Sequence, residues 1–149
     1  MSNPKVYIGT KDAAPVVMLT TENHKAFSKE TLIQALYQAE AKCKEIVAGW
    51  DPKNWFPCGF ANLWVEDTSP LVRLIKKEGT INPRCTSFTD ALGLSMNKAY
   101  DGGYSIHWDN IPITGTLGQC MHLKAQCYGV LVEELAYLSI RASVLTMVD

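Results

Sequence analysis

Charge is scarce in this chain, and neither sign dominates. Lys and Arg number 14 against 15 Asp and Glu, giving a formal net charge of -1, and charged residues fill only 19% of 149 positions. A protein that grips nucleic acid without regard to sequence usually carries a basic stripe and a pI well above neutral. The pI near 6.3 argues against nonspecific nucleic-acid binding. No unbroken apolar run approaches the roughly 20 residues that a membrane-spanning helix needs, so a soluble protein with no membrane partner is expected. The five cysteines, Cys43, Cys58, Cys85, Cys120 and Cys127, are odd in number and show no C-x-x-C spacing. No basic-then-apolar signal pattern opens the sequence. The cysteines read as reduced thiols in a cytoplasm. Internal repeats and low-complexity linkers are missing too, which leaves one domain over residues 1–149.

A chain of this length buries roughly two-thirds of the surface its unfolded form exposes, and it needs neither disulfide nor metal to fold. Hydrophobic residues make up 47% of it, so there is apolar surface to spare for an interface. A homo-oligomer is expected.

Residues 1–26 hold two short apolar runs, Val6-Tyr7-Ile8 and Val16-Val17-Met18, around a polar stretch, and read as a hairpin that serves as an arm or an edge pair. Ser28 offers a helix N-cap, and Leu32, Leu36, Ala39, Cys43 and Ile46 recur at helical steps before Gly49. Trp50 and Trp55 flank a break and are expected to cover the end of the core. Cys58–Glu66 alternates as a strand does, and Ser69-Pro70 starts a helix that Gly79 closes. Residues 80–101 are the least regular, with a short helix expected around Phe88–Asn97. Gly102-Gly103 opens a strand that places Tyr104, Ile106 and Trp108 on one side and Ser105, His107 and Asp109 on the other. A long helix over Leu117–Leu138 and a β-branched run, Ser143–Val148, complete the core of residues 28–149. This order predicts an α+β two-layer sandwich, with a mostly antiparallel or mixed sheet and helices largely on one face.

Several short motifs occur in a characteristic order. Cys58-Gly59-Phe60-Ala61 leads into a strand, Lys76-Lys77-Glu78-Gly79 ends a helix, and Tyr100-Asp101-Gly102-Gly103 leads into the next strand. Gly118-Gln119 and Lys124 then accompany the last helix, before a final strand that stops at Asp149. Over roughly residues 28–149 they resemble a widespread family of small tailed-phage accessory proteins of unassigned function. Cys120 stands where the family usually has Ser, and Thr146-Met147-Val148-Asp149 stands where it usually has Ser-Arg-x-Asp. The resemblance implies a phage-encoded protein working in the bacterial host cytoplasm, and it implies no activity.

Ser105, His107 and Asp109 are the residue types of a nucleophile, a base and an orienter. Alternate residues of one strand stand roughly 6.5–7 Å apart and project in parallel, which favours a polar strand face over a triad. His107, His122, Cys58 and Cys120 are zinc-ligand types without paired short spacing, so small buried hydrophobes account better for the cysteines. Gly102-Gly103 lacks the strand-to-helix setting of a phosphate loop and suits a turn with positive φ. No catalytic residue, metal or cofactor is therefore assigned. The candidate ligand-binding set is Trp64, Arg73, Lys76, Lys77, Tyr104, Trp108, Gln119 and Lys124. Aromatic planes stack bases while Arg and Lys hold phosphates, so the set suits a small anionic, nucleotide-like ligand. The competing reading of the tryptophans is packing in the core, and that of the basic residues is a solvated helix face. A non-catalytic binder, acting in counter-defence by sequestration, is the expected function. The alternative is a protein-interaction module that inhibits a host protein or joins a phage particle.

Overall fold

The computed structural model describes residues 5–8, 15–50, 59–81, 88–90, 93–99, 102–113 and 121–148. Helix α1 spans Lys29–Ala48 and begins at the expected cap. The Ser28 hydroxyl accepts from the Thr31 N–H at 3.1 Å while the Thr31 hydroxyl accepts from the Ser28 N–H at 2.8 Å, so two otherwise orphaned donors are satisfied reciprocally. Its three- and four-residue steps bury Leu32, Ala35, Leu36, Ala39 and Cys43. Helix α2, Pro70–Glu78, starts with proline where no N–H is needed, and the Ser69 hydroxyl accepts from the Leu71 N–H at 3.2 Å. It buries Leu71, Val72 and Ile75. Helix α3 spans Met121–Ala136; the start expected at Leu117 lies outside the described residues. Among the described residues no helix is long and apolar enough to cross a membrane.

The strands are β1 (Lys5–Ile8), β2 (Pro15–Leu19), β3 (Gly59–Val65), β4 (Gly79–Ile81), β5 (Phe88–Asp90), β6 (Leu94–Lys98), β7 (Tyr104–Trp108) and β8 (Ser143–Val148). The first two pair antiparallel as a separate two-stranded sheet. Leu19 at the end of β2 is buried, and the Lys25 N–H donates to the Tyr137 carbonyl at 3.0 Å, which ties this segment to the end of α3. The other six strands form one sheet in the order β4-β5-β6-β7-β3-β8, with every pairing antiparallel.

One face of that sheet carries Ala61, Leu63, Val65, Leu94, Met96, Tyr104, Ile106 and Trp108, all buried. The helices pack against it, α3 on β3 and β8 and α2 on the β4–β5 end, while α1 packs along α3. The chain is thus an α+β domain with its helices on one side of an antiparallel sheet. Trp50 packs half-buried against the core; Trp55 lies outside the described residues.

The helix expected around Phe88–Asn97 is not formed. Strands β5 and β6 occupy it, because Gly93 adopts φ 79 and turns the chain between them. A Cβ there would collide with the Asn110 side chain. After the turn Leu94 and Met96 are buried and Ser95 is not, a period of two that five residues reveal only once a neighbouring strand is in place.

Ser139, at φ 62, ends α3 in the left-handed conformation that helix termini usually reserve for glycine. The Ile140 N–H donates to the Leu135 carbonyl at 3.0 Å, and the buried Ser139 hydroxyl has no partner among the described residues. Ser139→Gly removes both the strained Cβ and the orphaned hydroxyl. It is expected to raise stability by about 1 kcal/mol after the added unfolded-state entropy is subtracted, read as a higher midpoint in urea; an unchanged or lower midpoint would contradict this account.

Candidate functional site

Strand register decides which candidate residues meet. Val65 lies opposite Tyr104, and Trp64 opposite Ser105. Directly opposed residues share a face, so Tyr104 belongs to the helix side and Trp64 to the open side of the same sheet end. Tyr104 is 7% exposed, and the Lys76 ammonium sits 5.0 Å from its ring centroid, a cation–π contact. Arg73 and Lys77, one turn apart on α2, are exposed beside Lys76.

Lys98 is absent from the sequence-derived set and belongs with these residues. It is exposed and lies directly opposite Tyr104 in the β6–β7 pairing. Reading residues 88–97 as helix concealed it, since only the register of β6 places Lys98 opposite Tyr104. Arg73, Lys76, Lys77 and Lys98 form no ion pair among the described residues.

The rest of the expected set is not gathered here. Trp108 is 1% exposed and packs edge-on against Tyr128, with centroids 6.3 Å apart at 70°. It is a core residue and offers no face to a ligand, which corrects its inclusion. Lys124 reaches the Gly59 carbonyl at 3.5 Å and the Phe60 ring at 5.9 Å, at the opposite end of β3. Six residue steps of extended chain separate the two ends by about 20 Å, so Lys124 cannot share a small ligand with Lys76. Gln119 lies outside the described residues.

Trp64 is held in place by the turn before β7. Its indole N–H donates to the Gly102 carbonyl at 2.9 Å, and its ring lies against Gly103, where an added Cβ would come within 2.6 Å of Cε2, Cζ2 and Nε1. Gly103 also has φ 75. The Gly102-Gly103 pair therefore serves as a turn and a seat for an indole.

The open face carries a second polar grouping. Tyr128 comes from α3 on the helix side, and its hydroxyl accepts from the Trp108 backbone N–H at 2.9 Å and lies 3.4 Å from His107 Nδ1. The β3–β7 pairing runs only from Leu63↔Ile106 to Val65↔Tyr104, so beyond it a phenol occupies the place of a ladder partner. His107 Nε2 lies 3.7 Å from Asp109 Oδ1, and the Ser95 hydroxyl donates to the two Asp109 oxygens at 3.0 and 3.2 Å. Ser105 forms no hydrogen bond with His107, so Ser105, His107 and Asp109 are not linked as a triad. Burial pushes the Tyr128 phenol up to about 12, with the Asp109 charge adding to it and the Trp108 N–H opposing.

Among the described residues no group of three or more His, Cys, Asp or Glu is arranged to hold a metal. Cys43 and Cys127 are free, buried thiols. Hydrogen bonding to Cys127, together with burial, raises the pKa of Cys43 and keeps it protonated. Cys58 and Cys120, also considered as ligands, lie outside the described residues. No family model matches the chain, and no curated protein or solved structure is significantly similar to it.

Two outcomes follow from this geometry. Gly103→Ala adds a collision with the Trp64 ring to the cost of left-handed backbone, whereas Gly102, at φ 94, has open space around its missing Cβ. Gly103→Ala is expected to cost about 1–3 kcal/mol more than Gly102→Ala, measured by denaturant unfolding; equal losses would remove Trp64 from the explanation.

Tyr128→Phe leaves the buried Trp108 N–H without its acceptor and is expected to cost about 1–3 kcal/mol. Its pH dependence is a separate signature. The folded phenol keeps a proton that the unfolded one releases near 10.0, so stability falls as pH rises from there to about 12. The loss is about 2–3 kcal/mol across that window and is expected to vanish in Tyr128→Phe. Parallel unfolding curves for the two proteins over that range would refute the assignment.

Proposed function

We propose that this chain is a non-catalytic binding protein that captures a small anionic, nucleotide-like molecule on the surface formed by Arg73, Lys76, Lys77 and Lys98 around Tyr104. The observation that carries the reading is the Lys76 ammonium over the Tyr104 ring at 5.0 Å, with Lys98 opposite Tyr104 in the register of the neighbouring strand. Four cations without ion-pair partners among the described residues repel one another, and an anion relieves that repulsion. Arg supplies bidentate geometry for a phosphate and the lysines supply point charge. The macrodipole also favours Lys76 and Lys77 near the C-terminus of α2. It gives no reason for Lys98, which is on a strand.

The resemblance of its motif order to that of small tailed-phage accessory proteins is the support for a setting in the bacterial host cytoplasm. There, capture of a nucleotide-derived defence signal without turnover is the role this surface fits. A second reading draws on Phe60 and Leu145, which are 54% and 47% exposed on neighbouring strands of the open face and suit contact with a host or virion protein.

Native mass spectrometry of protein purified from phage-infected cells separates the two readings. A retained mass of nucleotide size in the wild type, lost in Arg73→Ala and Lys98→Ala, is the expected result. An unliganded chain that carries a co-purified host protein instead favours the second reading. Retention that survives both substitutions would rule out the proposed surface.

A further inference from the structure

The aromatic ring that accompanies the four cations is already covered. Tyr104 is 7% exposed, its partners on the two neighbouring strands are Val65 and Lys98, and the Lys76 ammonium lies over its ring, 5.0 Å from the centroid. A base stacks only on a ring face that it can reach, and this ring presents none. Lys76 itself is exposed, so the ring fixes a charge that solvent and solutes still meet. Arg73 and Lys77 of α2 and Lys98 of β6 are exposed as well. Lys76 and Lys77 follow Arg73 by three and four residues, which sets their Cβ atoms about 5–6 Å from its own. Separate cations at that spacing can each hold one phosphate of a linked series.

We propose that this site reads the phosphates of its ligand and not the base, with Tyr104 positioning the Lys76 ammonium and offering no stacking surface. Resting on the anion capture proposed above, this narrows the ligand to compounds with two or more linked phosphates, whatever group they carry. One phosphate brings about two negative charges near neutral pH, too few to balance four cations. Each further phosphate adds charge where an unpaired cation is waiting, whereas a purine or pyrimidine adds nothing that these side chains hold.

Isothermal titration calorimetry of the full chain at fixed ionic strength tests this with inorganic phosphate, pyrophosphate and triphosphate, and with purine and pyrimidine nucleoside triphosphates. Affinity is expected to rise at least about tenfold with each linked phosphate. Both classes of nucleoside triphosphate are expected to match inorganic triphosphate within about threefold, where a base stacked on an aromatic ring would add on the order of tenfold or more. Tyr104→Leu is expected to weaken inorganic and nucleoside triphosphates alike, by about threefold, and Tyr104→Phe to rescue both, because the ring returns. A loss confined to the nucleotides would make Tyr104 a stacking residue and overturn the proposal. Wild-type affinities that depend on the base, or inorganic triphosphate that fails to bind where nucleotides do, also overturn it and leave nucleotide capture standing. A wild type that binds none of these probes overturns both. The wild-type series decides on its own, so the test survives a Tyr104→Leu chain that does not fold.

Discussion

Helix α3 buries side chains toward two partners at once, and the positions of the other elements follow from that double contact. Cys127 faces α1, where its carbonyl accepts from the Cys43 thiol at 3.5 Å, and Glu134 pairs with Lys42 of the same helix. The hydrogen bond to Glu134 raises the pKa of Lys42. Tyr128, one residue further along, turns to the sheet and meets Trp108. A helix with so wide an apolar surface cannot rest at a domain edge. It becomes the layer that joins α1 to the strands, and its footprint on β3 and β8 leaves the opposite face of those strands open.

That open face explains why the candidate residues fall into separate groups. Strand β3 lies between β7 and the edge strand β8, and its side chains alternate between a helix side of Ala61, Leu63 and Val65 and an open side of Phe60, Asn62 and Trp64. The charged residues of α2 gather on the helix side at one end of this strand, and Lys124 approaches its other end. Trp64 belongs to neither group. Its ring is fixed by a carbonyl and a glycine of the turn before β7.

Much of the fold was legible because period and punctuation coincide. Ser28, Ser69-Pro70 and Gly49 mark helix ends where an N–H needs an acceptor or the pattern stops, and β8 matches its β-branched run residue for residue. The polar and apolar sides of β7 were also evident from alternation alone. The register between strands is set by contacts far apart in the chain, so it was not. Without it Trp64, Tyr104 and Trp108 look like one aromatic group, although Trp64 and Tyr104 lie on opposite sides and Trp108 is in the core. Lys98 was hidden for the same reason, because a five-residue strand after a glycine turn has too few turns of either period to identify itself.

The phenol that completes the ladder at Trp108 also bears on how this sequence can drift. Most core positions of α3, Leu131 and Leu135 among them, require volume and little else, and aliphatic side chains exchange there at modest cost. Position 128 requires a ring long enough to span the gap beside β7 and an oxygen at its tip. No aliphatic residue meets both demands, and no other aromatic residue places a hydroxyl there. Variation within α3 is therefore expected to be broad along the helix and narrow at this one site, under a constraint of chemistry and not of size.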